Sequence, residues 1–117
     1  MATTTNLAVS QLLAQLDAKA INFADVLAFI SNHYNYTPTP FVNGYLHNAA
    51  GENEGSCKVF GFAKLNGLDK VNTLKLFAEH YDAVNATPGG TDHQNIRNFS
   101  FFGWQGFLMH PNCLSPK

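Results

Sequence analysis

Charge is what this chain has least of: 7 Lys and Arg against 8 Asp and Glu, 13% of 117 residues, with a net charge of -1. That is roughly half the usual charged share. A field this weak steers neither nucleic acid nor an anionic membrane surface, so functions built on basic patches are set aside, and neither partner is expected. Cysteine is nearly as scarce. Cys57 and Cys113 are too few for a disulfide scaffold, and Cys113 lies in a terminal stretch between prolines, so a structural disulfide is not expected and a reducing compartment fits. Long apolar runs are missing too. The start Met-Ala-Thr-Thr-Thr-Asn has no basic residue, and the apolar positions after it are interrupted by Gln11, Gln15 and Asp17, so neither a Sec signal nor a membrane span is expected.

What the chain does have is 45% hydrophobic residues, enough for one domain over residues 1–117 with a real core and no metal or disulfide support. Residues 1–5 and 110–117 read as flexible ends. With few charges, the surface is wetted by Asn, Gln, Thr and Ser, which favours a small polar ligand or a shape-matched protein partner.

Periodicity predicts a mainly α domain of about five helices with one short β-hairpin. Val9, Leu12, Leu13, Leu16 and Ala20 set a helix over about 6–18; Asn22 caps a second carrying Phe23, Val26, Leu27, Ile30 and Tyr34, and the two are expected to pack as a helical hairpin. Pro38 and Pro40 forbid continuation. Asn43-Gly44, between Phe41-Val42 and Tyr45-Leu46, signals a tight β-turn. The stretch from Cys57 to Leu65 fits strand or helix, and helix is preferred because Ser56 can cap it and Asn66-Gly67-Leu68 resembles a left-handed stop. Asp69 opens a helix with Leu74, Phe77, Ala78, Tyr81 and Val84 on its apolar face, ending at Thr87-Pro88-Gly89-Gly90. Asp92 caps the last helix, His93 to about Phe102, and the aromatics from Phe99 to Trp104 seal the core.

The segment Asn48 to Phe60 stands apart, because polar and glycine residues crowd together before an apolar run begins. Gly51 and Gly55 permit a loop that brings Glu52, Asn53, Glu54, Cys57 and Lys58 to one place, as proteins do when they build sites on a scaffold. These strings carry a resemblance. Asn43-Gly44, Asn48 through Phe60, Glu79-His80-Tyr81 and Thr91 through Phe99 resemble the HopJ type III effector proteins over about residues 20–104. The resemblance implies a bacterial protein, resident in the cytoplasm or delivered by a type III system into a host cell. It supplies no catalytic residue, substrate or cofactor.

Three chemistries compete for the polar residues. Cys57, in the first turn of a helix beside Lys58, has the setting of an activated thiolate and would need His93 or His80 as base. The competing role is a small buried hydrophobe. A metal is not expected, because His33, His47, His80, His93 and His110 are scattered singly, and no cofactor is called for. The preferred reading is a recognition module whose polar pocket is formed by Asn48, Glu52, Asn53, Ser56 and Lys58 with Asp92, Asn95 and Arg97. In it, Asn48, Glu52 and Asn53 bond backbone amides or the 91–98 segment, and Glu52 meets His93 at the mouth. The bland alternative is a closed network that only pins the loop.

Overall fold

The computed structural model describes residues 4–117, with side chains from Leu7 onward. Residues 1–3 of the expected loose N-terminus lie outside it. Among the described residues there are six α-helices, a three-stranded antiparallel sheet and a two-stranded ribbon. The architecture is mainly helical α+β.

Helix α1 (Thr4–Asp17) buries Val9, Leu12 and Leu16, the stripe its spacing predicted. Asn22 begins α2 (Phe23–His33) with a full capping box: its side chain accepts from the Asp25 amide at 3.0 Å, and the Asp25 carboxylate accepts from the Asn22 amide at 3.0 Å. The expected pairing of these two helices gives way to different partners. Helix α1 packs on α4 (Lys70–Lys75), and α2 packs chiefly on α3 (Glu54–Leu65).

The hairpin forms from β2 (Phe41–Asn43) and β3 (Leu46–Asn48), with Asn43 opposite Leu46. Its turn is centred on Gly44-Tyr45, one residue later than expected, with Gly44 at φ 61°. Asn43 ends a strand and is fully buried. Strand β4 (Phe107–Leu108) adds to the other side of β2. The remaining ribbon joins β1 (Tyr34–Tyr36) to β5 (Leu114–Pro116), so the stretch expected to be a loose tail is paired through its last residues, and Cys113 is buried.

Helix α3 ends as the sequence foretold. The Leu68 amide donates to Ala63 O at 3.0 Å and the Gly67 amide to Lys64 O at 3.3 Å, with Gly67 at φ 63°, a Schellman closure. Asp69 caps α4 through the Asn72 amide at 2.9 Å. The expected single helix beyond it is two, because α4 stops at Lys75 and α5 runs Glu79–Ala86. Between them the amides of Leu76, Phe77 and Ala78 each bond the carbonyl three residues back, and Ala78 takes φ 51°. This tightening turns both Leu76 and Phe77 into the core.

Helix α6 (Gln94–Phe102) follows, then a 3-10 turn over Gly103–Gly106. The core centres on Phe60, whose ring lies 4.9 Å from Phe99, 5.0 Å from Phe107 and 5.4 Å from Phe77, centroid to centroid. Trp104 packs on Phe99 and donates to Leu68 O at 2.8 Å, so the aromatic tail does seal the core. Phe101 does not, being 80% exposed.

Candidate functional site

A cavity of about 560 Å³ opens where the starts of α2, α3 and α6 approach β3. Each wall has a local cause. Helix α2 contributes Phe23, and the Phe23 amide donates to Glu79 at the start of α5 at 2.8 Å. Phe77 stacks on the Phe23 ring at 5.9 Å, and together they make an apolar floor.

The polar wall rests on asparagines. Asn95 Nδ2 donates to Asn48 Oδ1 at 3.0 Å, Asn53 Nδ2 to the same oxygen at 2.7 Å, and Asn43 Nδ2 to both Asn95 O and Asn95 Oδ1. Hairpin, loop and α6 are thereby tied through buried groups. The Glu52 carboxylate accepts from the Ala49 amide at 2.8 Å, closing the loop on itself. The expectation for Asn48 and Glu52 is thus met, whereas Asn53 bonds Asn48 instead.

The two helix starts differ from what the sequence suggested. Ser56 does not cap α3, and Asp92 does not cap α6. In both helices the N-cap residue is in left-handed conformation and gives no side-chain cap: Asn53 at φ 49° and His93 at φ 51°. Asn53 is committed to Asn48, and Asp92 is held by Arg97. Two helix starts without side-chain caps therefore face one cavity, through Gly55 and Ser56 on one side and Gln94 and Asn95 on the other.

His80 and His93 complete the wall, with ring centroids 5.0 Å apart and His80 edge-on to Phe23 at 4.9 Å. The nearest carboxylate of His93 is Asp92, at 3.9 Å, while Glu52 is spent on Ala49. Glu52 lines the cavity without forming the expected pair.

Asn48, Glu52, Asn53, Ser56, Asn95, His80 and His93 are thus brought together, and Cys57, Lys58, Asp92 and Arg97 are not among the lining residues. Arg97 braces the segment before α6: Nε and Nη2 bond Asp92 O and Oδ1 at 2.6 Å, and Nη1 bonds Thr87 O at 2.7 Å. This pairing pulls the Asp92 carboxyl below the usual aspartate range. Gly90 leaves the room it needs, since a Cβ there would lie 2.6 Å from Nη2. Lys58 sits 4.7 Å above the Tyr36 ring. Cys57 faces the opposite side of α3, with Sγ 3.5 Å from Thr39 O and Cys113 beside it, so no cysteine–histidine pair forms with His80 or His93. Burial pushes the nearby Tyr36 hydroxyl up.

Sequence reasoning missed Phe23, His47, Phe77 and Gln94 as lining residues. Asn22 marked Phe23 as a helix start, but nothing in its neighbourhood said what that start would face. Among the described residues no group of three or more His, Cys, Asp or Glu is placed to hold a metal.

The profile of the HopJ type III effector protein family matches residues 9–114. No curated protein matches. A crystal structure of a protein of unknown function, VPA0580, is similar at TM-score 0.85 and 42% identity, covering 92% of each chain.

Proposed function

The chain belongs to the HopJ type III effector protein family, and from that premise and its cavity we propose that it is a recognition module for a small polar ligand bearing an anionic group, a carboxylate or a phosphate. One observation carries this reading: two helix starts without side-chain caps share the cavity. Such starts present N–H groups and the positive end of the helix dipole, a favourable pairing for an anion. His80 and His93 add ring N–H donors beside them. The Phe23–Phe77 floor suits an apolar body attached to the anionic end, and the volume falls in the range of small-molecule sites. Catalysis by Cys57 lacks the His80 or His93 base it would need, since both line the cavity and Cys57 does not. The effector role of the family would place the encounter in the bacterial cytoplasm or, after type III export, in a host cell.

Titration with inorganic phosphate and with a small aromatic carboxylate, followed by amide NMR, tests the reading. The amides of Gly55, Ser56, Gln94 and Asn95 are expected to shift together, and His80→Ala is expected to weaken binding. Shifts absent at these amides at millimolar ligand, or confined to other surfaces, refute it.

A further inference from the structure

We propose that Cys57 and Cys113 form a dithiol site that hydrogen peroxide converts into an intramolecular disulfide. The two are free thiols, each 1% exposed, and they are neighbours in the core. Cys113 Sγ donates to Cys57 O at 3.3 Å, which seats it on the turn of α3 that carries Cys57. Gly61, one turn after Cys57 on α3, makes the space. A Cβ there would lie 2.6 Å from Cys113 Sγ and 2.9 Å from Asn112 Oδ1. Asn112 clamps the segment from one side, donating to Gly61 O at 3.1 Å and accepting from the Leu114 amide at 2.8 Å. From the other side the Thr37 amide donates to Cys113 O at 2.8 Å. A lone packing cysteine needs no such partner, whereas these contacts hold Cys113 Sγ against the backbone of Cys57.

Access comes from the element that carries Cys113. Strand β5 has three residues and a single partner, β1, so its opening exposes both sulfurs at once. The order of reaction follows from the pair's asymmetry. The neighbouring Cys113 holds the Cys57 thiol below its ordinary value, while the closeness of Cys57 and burial push Cys113 up.

Cys57 thiolate takes one peroxide oxygen; the O–O bond breaks, and the other oxygen leaves as hydroxide and recovers the proton Cys57 lost, giving water. Cys57 is then a sulfenic acid. The Cys113 sulfur attacks it, the S–S bond forms as the S–O bond breaks, and the departing hydroxide takes the Cys113 proton. Two thiols lose two electrons and two protons, and one peroxide becomes two waters.

The test treats the folded full-length protein with hydrogen peroxide and measures intact mass after denaturation. A loss of about 2 Da, a linked Cys57–Cys113 peptide and disappearance of both maleimide-reactive thiols are expected, all reversed by dithiothreitol. Two thiols still free, oxygen additions without a link, or a link formed only between chains would each overturn the proposal. In Cys113→Ala the sulfenic acid has no partner and is expected to yield a dimedone adduct at Cys57, with none at Cys113 in Cys57→Ala. Should either variant fail to fold, the wild-type mass decides alone.

Discussion

Asn48 is 5% exposed, and its Oδ1 accepts from both Asn53 and Asn95. Truncating it to Ala would strip one acceptor from two donors, one of them on a buried residue, so the loss exceeds that of a single bond. We expect Asn48→Ala to destabilise by about 1–3 kcal/mol with an unchanged m-value in urea unfolding. A loss below a few tenths would mean that water replaces the side chain. Ala78 argues in the other direction. Its φ of 51° and ψ of -122° are a backbone region that glycine enters freely and alanine does not. Relief of strain worth about 1–3 kcal/mol, less roughly 0.5–1 kcal/mol for glycine's extra freedom when unfolded, makes Ala78→Gly stabilising by about 1 kcal/mol. Equal or lower stability in the same assay would show the position unstrained.

At the scale of elements, the sequence was legible where the signal is local. The Asn22 cap, the Asn66-Gly67-Leu68 stop and the Asp69 cap each act within a few residues, and each stands as read. The misread helix boundaries share one physical cause: non-glycine residues with positive φ, which composition does not announce. Ala78 divides one helix into two, and Asn53 and His93 occupy the caps assigned to Ser56 and Asp92. The cavity was half legible. Its polar members were named from the loop, but Phe23 and Phe77 arrive through packing of α2 and the α4–α5 break, which are tertiary events. The brace that replaces the Asp92 cap has a pH signature. Arg97 lowers the Asp92 pKa in the folded chain, so the contribution is present above the unfolded aspartate pKa and is lost as pH falls through the folded value. Because Asp92 is exposed, the effect is small. Wild type is expected to exceed Asp92→Asn in stability at neutral pH, with the gap closing under acid; thermal melts across that range check it.

For the molecule as a whole, the chain's last residues close a core that its first half leaves open. Tyr34 and Phe62 pack edge to face at 5.7 Å beneath the β1–β5 ribbon, and Leu114 and Cys113 join the same buried cluster. The backbone is tied there at three levels: the Thr37 amide to Cys113 O, the β1–β5 pairing itself, and the Lys117 amide to His33 O at 3.0 Å. A terminus that merely frayed would leave such groups to water at little cost. Here removal uncovers apolar surface on α3 and deprives β1, a three-residue strand, of its sole partner. Full burial of one leucine-sized side chain contributes about 1.5–3 kcal/mol, and whole domains have only about 5–15 kcal/mol in hand. Deleting residues 113–117 is therefore expected to lower the melting temperature by roughly ten degrees or more and to hasten exchange of the Thr37 amide, while the amides of the Asn48–Asn95 network keep their relative protection. Melting by circular dichroism, with hydrogen exchange on the same samples, measures both. A truncated chain that melts like the full one would mean that the helices hold the core without the ribbon, and that its strands only decorate the surface.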